Sequence, residues 1–273
     1  MTTTPERRLL RQSVAALVDK YAAPAAVRRA MESPLGYDES LWAMLCDQVG
    51  VGALVVPESL GGAGGEFADA AAVLEELGRG LVPCPLLGTT LAELALLAAD
   101  DPDTAVLGRL ASGTSVGAVV LDDHDYVVNG DIADVVLAVS EGRIVRWTDV
   151  TVEPRPTLDP TRRLARVKPG GSRAIASDPG IADMAAILLA AEQVGAAQRC
   201  LELTVDYTKQ RVQFGRPIGS FQALKHRMAD LYVAVQAARA AVGDAVASPG
   251  PVRAALARLA ATEAFRDVVA EAV

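Results

Sequence analysis

The C-terminal third of the chain contains one long helical stretch, residues 181–210, IADMAAILLAAEQVGAAQRCLELTVDYTKQ. Its first half is apolar on most sides, which predicts a helix buried on more than one face. Short breaks rich in glycine and proline separate it from two further helical stretches, Phe221–Ala247 and Val252–Val273. Long helices joined by short breaks predict a helical bundle over residues 179–273.

Upstream of the bundle, residues 113–178 have the composition of a small β-region. β-Branched residues cluster in short segments, and the turn signals Asn129-Gly130 and Glu141-Gly142 lie between them. These patterns predict an antiparallel sheet of about five or six strands. Residues 1–112 show helical spacing instead. We therefore expect three domains: an N-terminal helical domain (1–112), a reduced β-domain (113–178) and a C-terminal helical bundle (179–273).

One helix in the N-terminal part has clear signals at both ends. Asp38 is a residue type that caps helix N-termini, and apolar residues at Leu41, Trp42 and Leu45 follow it at helical spacing. Gly50 is a residue type that ends helices. The sequence therefore predicts a helix from Asp38 to Gly50.

Composition limits the classes of function that fit the chain. The 273 residues are 51% hydrophobic and carry a formal net charge of −8. The apolar content predicts a folded core, and an acidic chain without a lysine–arginine block is unsuited to nucleic acid. The two histidines, His124 and His226, are far apart in sequence, which argues against a histidine-based metal site.

The cysteines and the lengths of the apolar runs indicate the cellular compartment of the protein. Cys46, Cys84 and Cys200 are dispersed without metal-ligand spacing, which predicts reduced thiols. No apolar stretch follows the N-terminal residues, so we expect no signal peptide. No apolar run approaches the roughly 20 residues that span a bilayer. The sequence therefore predicts a cytoplasmic protein without a membrane partner.

Two other motifs have explanations that involve no chemistry. The glycine run Gly61–Gly65 lacks the lysine that follows the glycines of a phosphate-binding P-loop, and no strand precedes it as in a Rossmann turn. We interpret it as a turn between helices. The carboxylate pairs Glu75-Glu76 and Asp122-Asp123 are interpreted as solvated surface charges.

A guanidinium, a carboxamide and an aromatic ring occur within four residues after the long helix, at Arg211, Gln213 and Phe214. Arginine can pair bidentately with phosphate oxygens, and phenylalanine can lie against a flat ring system. Arg211 can equally cap the last carbonyls of the helix. Both interpretations stay open on these residues alone.

Residues 211–222 read RVQFGRPIGSFQ and precede His226-Arg-Met-Ala-Asp230, and this string closely resembles the flavin-dependent acyl-CoA dehydrogenases. Three further stretches agree with that family in the same order, at residues 41–64, 69–85 and 193–198. The similarity covers nearly the whole chain. The chain is similar to short, divergent members of this family of the actinobacterial type.

The resemblance implies a fold with an N-terminal helical domain, a middle β-domain and a C-terminal bundle, and FAD as the cofactor. In the family, the ADP half of FAD reaches a neighbouring subunit, at positions that match Arg211, Gln213, Phe214 and Gln222. The implied reaction is α,β-dehydrogenation of an acyl-CoA: a glutamate removes the α-proton and the β-hydride passes to the flavin. Electrons then go to an electron-transferring flavoprotein.

The chain departs from the family pattern in three places. Its middle region lacks the family's Thr-Glu-Pro loop, and the sheet is shortened. The catalytic glutamate of one family branch matches Ala185, with Ala186 beside it. The commoner glutamate lies beyond the segment that ends at Val273, so the bundle is expected to be incomplete here. Glu263 lies in the preceding helix, where we expect a structural role, and no catalytic residue is predicted.

These features predict a partner subunit of a heteromeric acyl-CoA dehydrogenase of lipid or sterol side-chain β-oxidation, which contacts the ADP end of FAD. One alternative is an ordinary homo-oligomeric enzyme whose C-terminal end is missing from this sequence. Another is a non-catalytic scaffold that binds acyl-CoA or a partner without flavin. A helical protein unrelated to flavin is disfavoured by the match at residues 211–222. No metal site is expected.

Overall fold

The computed structural model describes residues 4–272. Met1–Thr3 and Val273 lie outside the described residues, and with them part of the N-terminus considered for a signal peptide and the end of the last predicted helix. Two helical parts flank a small β-region, which confirms the predicted fold class. The helices are α1 (Pro5–Tyr21), α2 (Pro24–Glu32), α3 (Glu39–Met44), α4 (Phe67–Gly80), α5 (Leu86–Leu97), α6 (Thr104–Ala111), α7 (Ile181–Gln210), α8 (Gln222–Ala247) and α9 (Pro251–Ala272).

The predicted helix signals around α3 are confirmed. The Asp38 carboxylate accepts hydrogen bonds from Ser40 N at 2.9 Å and from Leu41 N at 3.0 Å. The helix continues into a π-helical turn over Leu45–Val49, and Gly50 ends it at a φ of 75°. Helix α2 was not predicted, because its clearest sequence signal is a single proline near its start.

The β-region has seven strands, so the expected five or six was too few. The strands are β1 (Gly117–Val120), β2 (Val127–Val128), β3 (Val135–Ser140), β4 (Arg143–Thr148), β5 (Thr151–Arg155), β6 (Leu164–Lys168) and β7 (Gly171–Ser177). They form a four-stranded sheet in the order β1-β3-β4-β7 and a three-stranded sheet in the order β2-β6-β5.

One pairing in the first sheet differs from the antiparallel arrangement that we predicted, because β1 and β3 run parallel. Strand β2 leaves for the second sheet, and the chain returns so that β3 begins at the same end as β1. The Asp134 carboxylate joins these ends by accepting a hydrogen bond from Val116 N at 2.8 Å. Strands β6 and β7 are rich in basic and small residues, so their partners rather than their local pattern make them strands.

Helix α7 is the centre of the C-terminal part. Its buried residues lie on more than one face, as predicted, because α4, α8 and α9 all pack against it. The buried residues of α9 are four alanines and a valine, and such small side chains let helices approach closely. Within residues 4–272, no helix combines the length and apolar character that crossing a bilayer requires.

Helices α4 and α7 connect the N-terminal helices to the bundle through two glycines. An added Cβ at Gly195 would lie 1.9 Å from Glu75 O, and one at Gly78 would lie 2.1 Å from Glu192 O. At both positions the backbone of one helix fills the space that a side chain would need. One hydrophobic core therefore runs from the N-terminal helices through the first sheet into the bundle, and the division into three domains stays a prediction.

The pair Glu75-Glu76 is not solvated, so that prediction was wrong, whereas Asp122-Asp123 is exposed as expected. Arg11 lies 2.7 Å from each of the two glutamate carboxylates, and Arg239 of α8 lies 3.0 Å from Glu75. Burial opposes ionisation of Glu75, but the two guanidinium groups outweigh it and hold its pKa below the usual range. Glu75 therefore links α1, α4 and α8.

We expect Glu75→Gln to lower the free energy of unfolding at neutral pH by about 1–3 kcal/mol, because two guanidinium groups lose a charged acceptor. A carboxyl whose pKa is lowered by folding stabilises the protein above its unfolded pKa, and this contribution disappears as the pH falls through the folded value. The difference between wild type and variant should therefore shrink below a pH of about 4.3.

Denaturant unfolding measured from neutral to acid pH tests this expectation. The matched control is Glu263→Gln, since Glu263 is exposed and has no ion pair among the described residues. A stability difference for Glu75→Gln that stays constant down to acid pH would contradict the proposed ionised state.

Candidate cofactor-contact hairpin and cleft

The segment after α7 forms a tight hairpin. Strand β8 (Val212–Gln213) pairs with strand β9 (Arg216–Pro217). The two loop residues, Phe214 and Gly215, have φ values of 53° and 75°, which are the positive values of a type I′ turn. A bulky residue with positive φ is uncommon, and such strain is concentrated at functional sites.

The hairpin is held against the last turn of α7. Ile218 N donates to Arg211 O at 2.8 Å, and Arg211 N donates to Tyr207 O at 2.9 Å. An added Cβ at Gly219 would lie 2.9 Å from Thr208 Oγ1, so the backbone passes directly over the end of the helix. The hairpin is therefore a projection fixed by its own backbone.

An aromatic and cationic cluster forms the tip of this projection. The Phe214 side chain is 91% exposed, and its ring meets the Phe221 ring edge-on with centroids 6.1 Å apart. The Arg216 guanidinium lies over the Phe221 ring at 4.1 Å from its centroid, a cation–π contact. We assigned no role to Arg216 from the sequence, because this stack exists only once the hairpin turns back on itself.

Three of the four residues predicted to contact a cofactor lie on the projection, and the fourth follows it at the start of the next helix. Arg211, Gln213 and Phe214 are exposed on the hairpin, and Gln222 is the first residue of α8. Gln222 Nε2 lies 3.1 Å from His226 Nε2, so His226, to which we assigned no cofactor contact from the sequence, is a neighbour of the predicted residues. The cap of α7 is formed by the backbone of Arg211, which leaves its side chain available for another partner.

The charge of the projection suits a diphosphate. Within residues 4–272, neither Arg211 nor Arg216 has a carboxylate oxygen within 4.0 Å. Guanidinium groups pair well with phosphate, and an exposed phenyl ring offers a surface for a flat base. Two uncompensated cations next to Phe214 therefore fit the ADP part of FAD, and these side chains would hold it.

A cleft of about 300 Å³ lies between the helices and the β-region. Leucines from α4, α5 and α7 and Phe265 of α9 provide its apolar lining. Cys84 also lines it, and burial raises the pKa of this thiol to about 12, which keeps it protonated at neutral pH. The charged and amide side chains in the lining are Asn129, Asp159, Arg162, Glu192, Gln193 and Arg258.

Among the described residues that line the cleft, both carboxylates lie near the same arginine. Arg162 forms an ion pair with Glu192 and lies 3.9 Å from Asp159. Ala185 lies one helical turn before a leucine that lines the cleft, and alanine cannot accept a proton. Glu263 is exposed on α9 without an ion pair in the described part of the chain, so its exposure does not support the structural role that we expected.

Two family models match this chain. The acyl-CoA dehydrogenase N-terminal domain matches residues 4–114, and the acyl-CoA dehydrogenase C-terminal domain matches residues 180–273. Because these matches cover more than half of its length, the chain belongs to the acyl-CoA dehydrogenase family, a family of oxidoreductases. The family inferred from residues 211–222 is thereby confirmed.

Individual relatives agree with this assignment. The acyl-CoA dehydrogenase IpdE2 of Mycobacterium tuberculosis is 65% identical over 273 residues, which cover 100% of this chain and 86% of the relative. IpdE2 of Mycolicibacterium smegmatis is 60% identical over 268 residues, which cover 98% of this chain and 85% of the relative.

Two solved structures share the fold along almost the whole chain. The ChsE4-ChsE5 complex from Mycobacterium tuberculosis gives a TM-score of 0.85 at 26% identity, covering 100% of this chain and 86% of that chain. A variant of the Tcur3481-Tcur3483 steroid ACAD gives a TM-score of 0.86 at 26% identity, covering 98% of this chain and 85% of that chain. The predicted acyl-CoA dehydrogenase-like fold is therefore confirmed.

Proposed function

We propose that this chain is a partner subunit in a heteromeric, FAD-dependent acyl-CoA dehydrogenase of lipid or sterol side-chain degradation. Its role is to hold the ADP end of the FAD whose flavin belongs to a homologous subunit. One observation carries this proposal: the basic, aromatic hairpin is fully formed and exposed, while both carboxylates among the described residues of the cleft lie near Arg162.

The residues of the hairpin and the start of α8 bind and orient the ADP part of FAD. Arg211 and Arg216 supply charge-assisted hydrogen bonds for phosphate oxygens, and Gln213 and Gln222 supply neutral ones. The hairpin backbone is formed before binding, and the Phe214 ring already contacts the Phe221 ring, which reduces the entropy lost on association. When bound, FAD supplies the oxidising chemistry of α,β-dehydrogenation. An electron-transferring flavoprotein is the electron acceptor that we expect.

The relatives support a heteromer and a sterol-type substrate. ChsE4-ChsE5 is a complex of two differently named chains, and Tcur3481-Tcur3483 carries two names and the word steroid. Two bundle helices of this chain also expose apolar side chains, at Tyr232 and Val233 on α8 and at Leu256 and Leu259 on α9. Exposed apolar groups of this kind are typical of protein interfaces.

Co-expression tests the proposal. We expect the chain purified alone to carry no flavin absorbance and no acyl-CoA dehydrogenation activity. Co-expression with a homologous acyl-CoA dehydrogenase subunit from the same organism should yield a yellow, active complex. Yellow and fully active protein from this chain alone would instead support a homo-oligomeric enzyme, and a colourless complex would support a scaffold without flavin.

A further inference from the structure

Arg258 of α9 is the charged residue in the cleft that has no acidic partner. Within residues 4–272, its guanidinium donates only to neutral oxygens, among them Gln193 Oε1 at 2.6 Å. The two acids in the lining, Asp159 and Glu192, both lie against Arg162 instead. The cleft therefore contains one positive charge that no neighbouring carboxylate compensates.

The surroundings of Arg258 disfavour its positive charge. Burial lowers the pKa of this guanidinium, and the nearby charge of Arg162 lowers it further. Arginine keeps its proton even under such conditions, so the side chain stays positively charged in surroundings that disfavour the charge. A bound anion would compensate the charge and supply the acceptors that the partly buried guanidinium lacks.

The rest of the cleft limits what that anion can be. Leu77, Leu87, Leu189 and Phe265 line it with hydrocarbon, so an inorganic ion would leave most of the lining without a partner. The cleft measures about 300 Å³. Because a cavity of about 150 Å³ holds benzene, there is room for a body of roughly a dozen non-hydrogen atoms.

We propose that this cleft binds an organic carboxylate with a hydrocarbon body, and that Arg258 holds the carboxylate. Gln193 orients the guanidinium through its hydrogen bond, and the hydrocarbon body packs against the leucines and Phe265. A free carboxylic acid and an acyl-CoA with a second carboxylate at the far end of its acyl chain share this chemistry. The site requires neither the hairpin nor FAD, so its test can fail without affecting the test of the proposed function.

The first test uses the unmodified chain and two probes of equal length. Octanoate carries the charge, and octanamide replaces it with a neutral group. Isothermal titration calorimetry on the purified chain should show octanoate binding about tenfold or more tightly, as expected for a hydrogen-bonded ion pair in a partly buried site. Equal affinities for the two probes, or binding of neither, would overturn the proposal.

Substitutions then locate the site. Arg258→Gln should abolish the preference for octanoate, and Arg258→Lys should keep part of it, since lysine retains the charge without the planar fork. The matched control is Arg266→Gln, an exposed arginine on the same helix that pairs with the adjacent Asp267. An unchanged preference in Arg258→Gln would refute the assignment, and circular dichroism checks that each variant is folded. The comparison of the two probes on wild type needs no variant.

A third probe separates the two sources of carboxylate. The mono-CoA thioester of octanedioic acid carries a carboxylate at the far end of its acyl chain. Tighter binding of this thioester than of octanoate would identify an acyl-CoA as the ligand. Weaker binding would identify a free acid.

Discussion

Gly195→Val is expected to lower the free energy of unfolding by about 3 kcal/mol or more, because it overpacks a helix contact that has no spare space. The first added carbon would lie 1.9 Å from Glu75 O, 2.8 Å from Glu75 C and 3.2 Å from Arg79 N. All three are backbone atoms of α4, so no side-chain rotation can relieve the clash. The helices would have to separate, which would also disturb the ion pairs of Glu75 with α1 and α8.

Urea unfolding followed by circular dichroism measures this effect. Gly108→Val is the matched control, because Gly108 also lies in a helix and nothing lies within 4 Å of an added Cβ there. We expect the control to differ from wild type by less than about 1 kcal/mol. Equal stability of the two variants would contradict the close approach of α4 and α7.

Arg211→Ala is expected to weaken FAD retention in the heteromeric complex by roughly ten- to hundredfold. The reason is the loss of a charge-assisted hydrogen bond to phosphate, which contributes about 1.5–3 kcal/mol. No neighbouring acid holds the Arg211 side chain among the described residues, so its removal should leave the stability of the chain almost unchanged. Binding and folding effects are therefore separable.

Equilibrium dialysis of the complex, read by flavin absorbance, measures FAD retention, and thermal unfolding of the chain alone measures stability. Arg8→Ala is the control, since Arg8 is an exposed arginine on α1. We expect that variant to retain FAD as wild type does. Unchanged FAD retention in Arg211→Ala would contradict the role of the hairpin.

The parts of the fold that follow from local pattern were predictable. Asp38 and Gly50 mark helix ends because capping involves only neighbouring backbone groups. The burial of α7 on several faces follows from its apolar composition. The cofactor contacts of Arg211, Gln213, Phe214 and Gln222 stay a prediction, which rests on the resemblance of one short segment to a family motif.

Contacts between distant segments were not predictable in the same way. Glu75 looked like a surface charge, because the arginines that neutralise it come from helices far away in sequence. The parallel pairing of β1 with β3 depends on the path of β2 through a second sheet. Neither arrangement produces a recognisable pattern in the local sequence, because charge pairing and strand direction depend on where other elements lie.

The sequence was therefore sufficient for the helical architecture and for the family, because each depends on patterns among residues close together in the chain. The folded chain adds the stack of Arg216 on Phe221, the cleft and the unpaired charge of Arg258 within it. These features depend on which side chains meet after folding. Whether a charged side chain has a compensating partner depends on its neighbours in space. The order of residues along the chain does not show which distant residues those neighbours are.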